Sequence, residues 1–204
     1  MAFSWEDSCR AFGDAADWFI RTTALVGDEW NRPGRGEWDV RALVGHTSRS
    51  LLTVEAYLAR PAAAVDVETT ADYYRATRAI AAGPGVAERG REAGAALGTD
   101  PATAVAQIRD RVLPLVVGHD GTEPVTTIAG GMRLADYLPT RTFELAVHTA
   151  DLATALGVPP DVPATAAAQA LRLVAELAVA DGSAGVLLLA ATGRPGLPEG
   201  FSVL

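Results

Sequence analysis

The sequence of 204 residues contains no lysine, so all 17 of its basic side chains are arginines. The absence of an ammonium group excludes a Schiff-base lysine, a pyridoxal-phosphate lysine and a Walker-type phosphate loop. The single cysteine, Cys9, excludes internal disulfides, CxxC redox pairs and cysteine-rich zinc sites. Nucleophilic or redox chemistry would therefore depend on His, Asp, Glu, Ser or Thr, on a bound metal, or on a molecule that the protein takes up.

Positive charge is also scarce, because 25 acidic residues give the chain a formal net charge of -8. Such a balance argues against nucleic acid and against anionic membranes as partners. The first residues carry acidic side chains and no apolar segment typical of a signal peptide, and no run of 18 apolar residues occurs elsewhere. We therefore expect a cytoplasmic protein with reduced Cys9. The length fits one domain, or one domain with a small appendage.

The spacing of apolar residues predicts a mainly α fold without βαβ alternation or internal repeats. Predicted helices cover residues 5–26, 39–60, 101–117, 133–156 and 164–180. The pattern between 70 and 97 is also helical, but Gly83-Pro84-Gly85 either splits it into two pieces or leaves a mobile connection. Residues 118–131 are predicted as a loop with a short extended piece at 125–128. Pro139 should kink the long helix or mark its start near Leu138. The apolar run 184–191 fits a strand or a helix, and Gly193 as a C-terminal cap favours the helix.

Glu144 and His148 are four residues apart on the predicted long helix. Both side chains would leave the same helix face and could meet one ion or one substrate atom. Asp151 follows three residues later and could accept a hydrogen bond from the second ring nitrogen of His148, which would fix the tautomer of a metal ligand. The alternative is a Glu-His pair on the helix surface, which would contribute only a few tenths of a kcal/mol.

His46 lies on another predicted helix, close to the apolar stripe formed by Leu43, Thr47, Leu51, Val54 and Leu58. Two histidines and one carboxylate from two helices would form a three-ligand site with an open coordination position, which is typical of catalytic zinc. This spacing alone is not specific for a metal.

At these residues the sequence resembles the four-helix metal-binding proteins of the DinB type and, within them, the mycothiol-dependent maleylpyruvate isomerase family of actinobacteria. The resemblance covers nearly the whole chain and depends on residues 38–46, 141–157, 192–194 and 197–204. It implies a DinB-like four-helix bundle over residues 1–157. A small C-terminal segment, helical or α/β, would follow over residues 158–204 and complete the active site.

The resemblance implies that a divalent metal, with zinc expected and nickel as an alternative, is bound by His46, Glu144 and His148. It also implies mycothiol as a thiol cosubstrate and an isomerase or S-transferase reaction on a small electrophilic or conjugated acid. Arg194 matches an arginine that the family's C-terminal segment contributes to the active site. Alternatively, Arg194 bonds the last carbonyls of the helix at 184–191.

Two other functions remain open on the sequence. One is a non-catalytic DinB-like metal-binding protein, and the other is a hydrolase that uses metal-bound hydroxide. The expected partners are a small-molecule substrate and a low-molecular-weight thiol, and the sequence gives no oligomeric state. Arg141 could orient a metal ligand, whereas His119 is predicted as a loop residue and Cys9 as an unreactive side chain. The tryptophans and Tyr73-Tyr74 are interpreted as core and loop packing.

Overall fold

A computed structural model describes residues 3–81, 83 and 85–204, and within them the chain forms eight helices and one two-stranded sheet. The mainly α class is confirmed. In chain order the elements are α1 (Trp5–Thr23), α2 (Val40–Leu58), α3 (Thr70–Ala81), α4 (Gly85–Ala96), α5 (Pro101–Val117), β1 (Pro124–Thr127), β2 (Gly130–Arg133), α6 (Leu134–Leu156), α7 (Ala164–Ala180) and α8 (Ala184–Ala191). The predicted break before α4 is confirmed, and Pro84 lies outside the described residues.

Polar side chains fix the starts of three helices of the bundle. Ser4 and Asp7 form a capping box at α1, in which each side chain bonds the other residue's backbone N–H. The Asp39 carboxylate accepts a hydrogen bond of 2.7 Å from the backbone of Ala42 at the start of α2. Asp100 caps α5 in the same way. Each cap satisfies a backbone donor that the helix leaves unpaired, which is worth about 1 kcal/mol.

Helices α1, α2, α5 and α6 pack against one another as a four-helix bundle. Their facing stripes supply fully buried side chains, among them Phe12, Phe19, Leu43, Leu51, Val112, Leu145 and Leu152. Burial of each large apolar side chain contributes roughly 1.5–3 kcal/mol. Helix α6 also contacts α3 and α7 and so lies at the centre of the molecule. A residue on α6 can therefore meet side chains from several helices.

Helix α4 packs so closely on α2 that the two backbones are in direct contact. A Cβ atom added to Gly45 would lie 2.1 Å from the backbone nitrogen of Gly94, so only glycine fits at this contact. One turn earlier on α4, a Cβ on Gly90 would lie 2.5 Å from Nε1 of Trp38. The same indole nitrogen donates a 3.0 Å hydrogen bond to the carbonyl of Ala87. These contacts hold Trp38 and the first half of α2 in place.

Residues 118–133 contain a β-hairpin where the sequence predicted a loop with one extended piece. β1 and β2 are antiparallel, with Pro124 opposite Arg133 and Thr127 opposite Gly130. The predicted piece corresponds to β1, shifted by one residue. β2 went unpredicted because its sequence, Gly-Gly-Met-Arg, carries little β propensity.

Helix α6 runs from Leu134 to Leu156, so the predicted helix over residues 133–156 is confirmed and the alternative start near Leu138 is excluded. The first two N–H groups of the helix donate to loop carbonyls, from Leu134 to Glu123 at 2.8 Å and from Ala135 to Gly121 at 2.9 Å. Because these bonds anchor the first turn, the helix continues through Pro139.

The C-terminal segment is helical. α7 packs on α1 and α6, and α8 packs on α7. The helical interpretation of residues 184–191 is confirmed. Gly193 follows the C-cap with a φ of 76°, a left-handed conformation that glycine adopts without strain. The division of the chain into residues 1–157 and 158–204 stays a prediction. None of the described helices is long and apolar enough to span a bilayer.

Candidate metal centre

His46 of α2 and Glu144 and His148 of α6 converge on one point. Each offers one ligand atom, and these atoms all lie within 4.8 Å of one another. Among the described residues, this is the one group of three or more His, Cys, Asp or Glu side chains that could hold a metal ion. Because α2 packs on α6, His46 lies beside Glu144 and His148, which are only four residues apart in the sequence.

His148 is oriented from both sides of its ring. Nδ1 lies 3.3 Å from the Asp151 carboxylate, and Nε2 lies 3.1 Å from Oε2 of Glu144. Burial alone would lower the pKa of His148, but the hydrogen bonds to Asp151 and Glu144 raise it to about 9. The predicted role of Asp151 as the partner of Nδ1 is confirmed as a contact. With the Nδ1 proton held by Asp151, Nε2 is the nitrogen available to an ion.

His46 is stacked on Trp38. The two ring centroids are 4.4 Å apart at an interplanar angle of 32°, and the ring of His148 stands edge-on at 4.8 Å. Burial lowers the pKa of His46 to about 4, and the neighbouring His148 adds to this effect. His46 is therefore neutral at pH 7. Its Nδ1 is buried without a hydrogen-bond partner among the described residues.

Glu144 is held by Tyr74 from α3. The tyrosine hydroxyl lies 2.8 Å from Oε1 of Glu144 and 3.1 Å from the carbonyl of Thr140. Burial alone would raise the pKa of Glu144, but the His148 hydrogen bond and the Arg141 charge lower it to about 2. The carboxylate is thus ionised, with one oxygen on Tyr74 and the other directed to His148.

Asp151 connects the site to the loop between α1 and α2. The same carboxylate oxygen that faces His148 lies 3.3 Å from Nε of Arg35. The Arg35 side chain is 65% exposed, whereas that of Asp151 is only 24% exposed. The Asp151 carboxylate is therefore largely buried, and the exposed Arg35 contacts it from the protein surface.

The donor set fits a divalent ion of the zinc type. Two ligand atoms at about 2.0–2.1 Å from a tetrahedral ion lie roughly 3.3 Å apart, and His148 Nε2 and Glu144 Oε2 are already at 3.1 Å. The neutral His46, the ionised Glu144 and the orphaned Nδ1 of His46 agree with this fit. Three protein ligands would leave a coordination position for an outside molecule.

Arg194 lies apart from this cluster as far as the contacts of the described residues show. Its side chain is exposed and donates a 3.0 Å hydrogen bond to the carbonyl of Thr192, the C-cap residue of α8. The structure thus contains the capping contact, while the active-site role of Arg194 stays a prediction. His119 bonds Glu123 at 2.7 Å in the loop before the hairpin.

The position of the site can be compared with two of the clefts on the described surface. One of about 480 Å³ is lined by residues 35–38, Gly83, Val86 and Ala87. It shares Trp38 with the candidate metal centre. The other, of about 380 Å³, lies between α1, α3, α6 and α7, and none of the three candidate ligands lines either cleft. Of these two, the cleft at Trp38 also includes Arg35, so it adjoins residues that surround the ligands.

Sequence reasoning missed the parts that Trp38, Tyr74 and Arg35 take in the site. The first two were interpreted as packing residues, although Trp38 begins the stretch that carried the family resemblance. The position of Trp38 directly before the Asp39 cap of the His46 helix was the available signal. For Tyr74 and Arg35 no local pattern indicates their partners, because these lie far along the chain.

The fold and the site define a class: a DinB-like helical bundle with a His, Glu and His cluster that could bind a metal ion. Comparison with curated proteins and with solved structures finds no match. A family model described as "Mycothiol maleylpyruvate isomerase N-terminal domain" matches residues 12–153. The chain belongs to this family. The resemblance inferred from the sequence is thereby confirmed over residues 12–153, and this region includes all three candidate ligands.

Proposed function

We propose that this chain is a metal-dependent, mycothiol-using isomerase or S-transferase that acts on a small electrophilic or conjugated acid. The observation that carries the proposal is the convergence of His46, Glu144 and His148 in a member of a family named after mycothiol maleylpyruvate isomerase. Two imidazoles, of which His148 loses its proton on binding, and one carboxylate suit zinc, and nickel is the alternative.

A bound divalent ion would lower the pKa of a thiol, so that the thiolate exists at neutral pH. In an isomerisation the thiolate sulfur forms a C–S bond with one carbon of the conjugated double bond, and the π electron pair moves to the carbonyl oxygen. Rotation about the resulting single bond and return of the electron pair expel the thiolate and restore the double bond. The step neither oxidises nor reduces the substrate. In an S-transfer the C–S bond remains and a leaving group departs with its electron pair.

The residues around the three ligands would fix their geometry. Trp38 stacks on His46, Asp151 holds the Nδ1 side of His148, and Tyr74 bonds Oε1 of Glu144. Because each contact restrains a ring or a carboxylate, little reorganisation would accompany binding. The cleft that includes Trp38 and Arg35 would be the approach for a small molecule.

The first test is the metal content of protein purified without chelator. We expect about one zinc or nickel per chain by elemental analysis, and loss of this metal in His148→Ala. His119→Ala is the matched control, because His119 bonds only Glu123 through its ring and lies in a loop. Protein that contains no metal and takes up none would overturn the proposal.

The second test separates thiol chemistry from hydrolysis. Mycothiol should raise the melting temperature of the metal-loaded protein more than glutathione or cysteine does, since a ligand that binds only the folded state stabilises it. Equal responses to all three thiols would contradict the use of mycothiol. No response to any of them would favour a metal-hydroxide hydrolase, or a metal-binding protein without catalysis.

A further inference from the structure

Arg141 lies on α6 one turn before Glu144, on the helix face that carries both α6 ligands. Its guanidinium is packed over two aromatic rings, 5.5 Å from the centroid of Tyr73 and 5.1 Å from that of Tyr137. Its charge also acts on His46 across the site. An arginine held in this way is a fixed positive charge beside the candidate metal centre.

The hydrogen bonds of Arg141 are incomplete. A guanidinium has five N–H donors, and only Nε of Arg141 has a partner among the described residues, the Thr140 hydroxyl at 2.8 Å. Glu144 is the carboxylate nearest along the helix, but its oxygens bond Tyr74 and His148. The Arg141 side chain is half-buried, and its charge interacts with that of Glu144 without a hydrogen bond to it among the described residues. The Nη groups are therefore donors that a bound anion can use.

The formal charges of the site indicate how much negative charge the bound ligands would have to supply. Two neutral histidines, the Glu144 carboxylate, the Arg141 guanidinium and a divalent ion would leave two positive charges in excess, before the Arg49 charge that also acts on His46 is counted. Asp151 does not reduce this excess, because Arg35 is its counterion. A thiolate would supply one negative charge, and one carboxylate of the substrate would supply the other.

We propose that Arg141 is the anion-binding residue of this site and that its Nη groups bind a carboxylate of the substrate, in the bidentate manner of arginine. The inference deepens the proposed function and rests on it. It assigns the carboxylate of the proposed acid substrate to Arg141. It also separates substrate binding from Arg194, which bonds the carbonyl of Thr192 at the end of α8.

Arg49 provides a matched control. It lies on α2 one turn after His46, its charge also acts on His46, and its side chain is half-buried. Unlike Arg141, it is not packed over an aromatic ring in the described structure. If any nearby positive charge sufficed, Arg49→Gln and Arg141→Gln would have equal effects.

The experiment is a calorimetric titration of zinc-loaded protein, without mycothiol, with maleate as a small dicarboxylate probe. Loss of a charged hydrogen-bond pair in Arg141→Gln should weaken maleate binding by about 10- to 100-fold. Arg141→Lys should lie between Gln and wild type because it keeps the charge but not the planar fork. Arg49→Gln should bind maleate as wild type does. Zinc content and melting temperature are measured for every variant.

A second readout separates anion binding from a structural role. In Arg141→Ala, guanidinium chloride at low millimolar concentration should restore maleate binding, because the free cation can occupy the vacated space between the rings. Equal maleate affinity in wild type and Arg141→Gln, no measurable binding to wild type, or equal losses in Arg141→Gln and Arg49→Gln would overturn the inference. Maleate binding through Arg141 without any response to mycothiol would refute the proposed thiol chemistry and leave this inference intact.

Discussion

Replacing Gly45 by alanine tests whether the backbone contact between α2 and α4 positions His46. The added methyl carbon would lie 2.1 Å from the backbone nitrogen of Gly94 and 2.4 Å from its Cα. Comfortable contact between such atoms begins near about 3.5 Å. The two helices would therefore have to separate by more than about 1 Å, since the obstruction is backbone and cannot rotate away.

The stability effect follows from two opposing contributions. Overpacking of this kind costs about 3 kcal/mol, the upper end of its usual range, because rigid backbone is displaced. Alanine in a helix interior recovers about 1 kcal/mol relative to glycine. We expect Gly45→Ala to be destabilised by about 2 kcal/mol, and hence to melt roughly 4–8 °C lower for a chain of this size.

Gly13→Ala on α1 is the matched control, because no described atom beyond the adjacent backbone of α1 lies within 4 Å of its added Cβ. This variant should gain about 0.5–1 kcal/mol from helix propensity alone. Thermal and denaturant unfolding of the metal-free proteins measures both changes, and a chelator competition measures zinc affinity. Gly45→Ala should bind zinc more weakly, and Gly13→Ala should bind as wild type. A Gly45→Ala protein as stable as Gly13→Ala, with unchanged zinc affinity, would refute the reasoning.

Three further predictions concern the site itself. Tyr74→Phe should lower zinc affinity about tenfold in a chelator competition, because residues that hydrogen-bond metal ligands typically contribute a factor of 10 to 100 to metal affinity. Unchanged affinity would show that the tyrosine does not orient Glu144. Between pH 6 and 8, zinc affinity should rise about tenfold per pH unit, because His148, with a pKa of about 9 without metal, must lose a proton to bind. His46, with a pKa of about 4, is already neutral and adds nothing to the dependence of zinc affinity on pH. A zinc affinity that stays constant with pH in calorimetric titrations would contradict these protonation states. Burial raises the thiol pKa of Cys9, so Cys9→Ser should keep the full mycothiol response in a melting assay, and loss of that response would contradict an external thiol.

Local patterns predicted most of the helices because their caps and stripes lie within a few residues of each other. Asp100-Pro101 fixed the start of α5, and the four-residue spacing of Glu144 and His148 indicated the pair on α6. Pro139 left the start of α6 open between residues 133 and 138, because the first turn depends on carbonyls of the preceding loop, at Gly121 and Glu123. Such a contact leaves no periodic signal in the helix itself.

The surroundings of the metal centre were less predictable because tertiary packing creates them. Trp38 can stack on His46 only because Gly90 of α4 leaves room for the indole ring. Tyr74 reaches Glu144 from a helix far earlier in the chain. One sequence without aligned relatives gives the type of each residue but not which distant residues meet.

The spacing of the three candidate ligands also bears on how the chain folds. Glu144 and His148 meet as soon as one turn of α6 forms, whereas His46 joins them only after a segment of roughly a hundred residues has closed into a loop. An ion captured early by the α6 pair would bind weakly, and its affinity would rise when α2 docks. Zinc uptake during refolding would then time the docking of α2 on α6, and the bound ion would slow the separation of these two helices during unfolding.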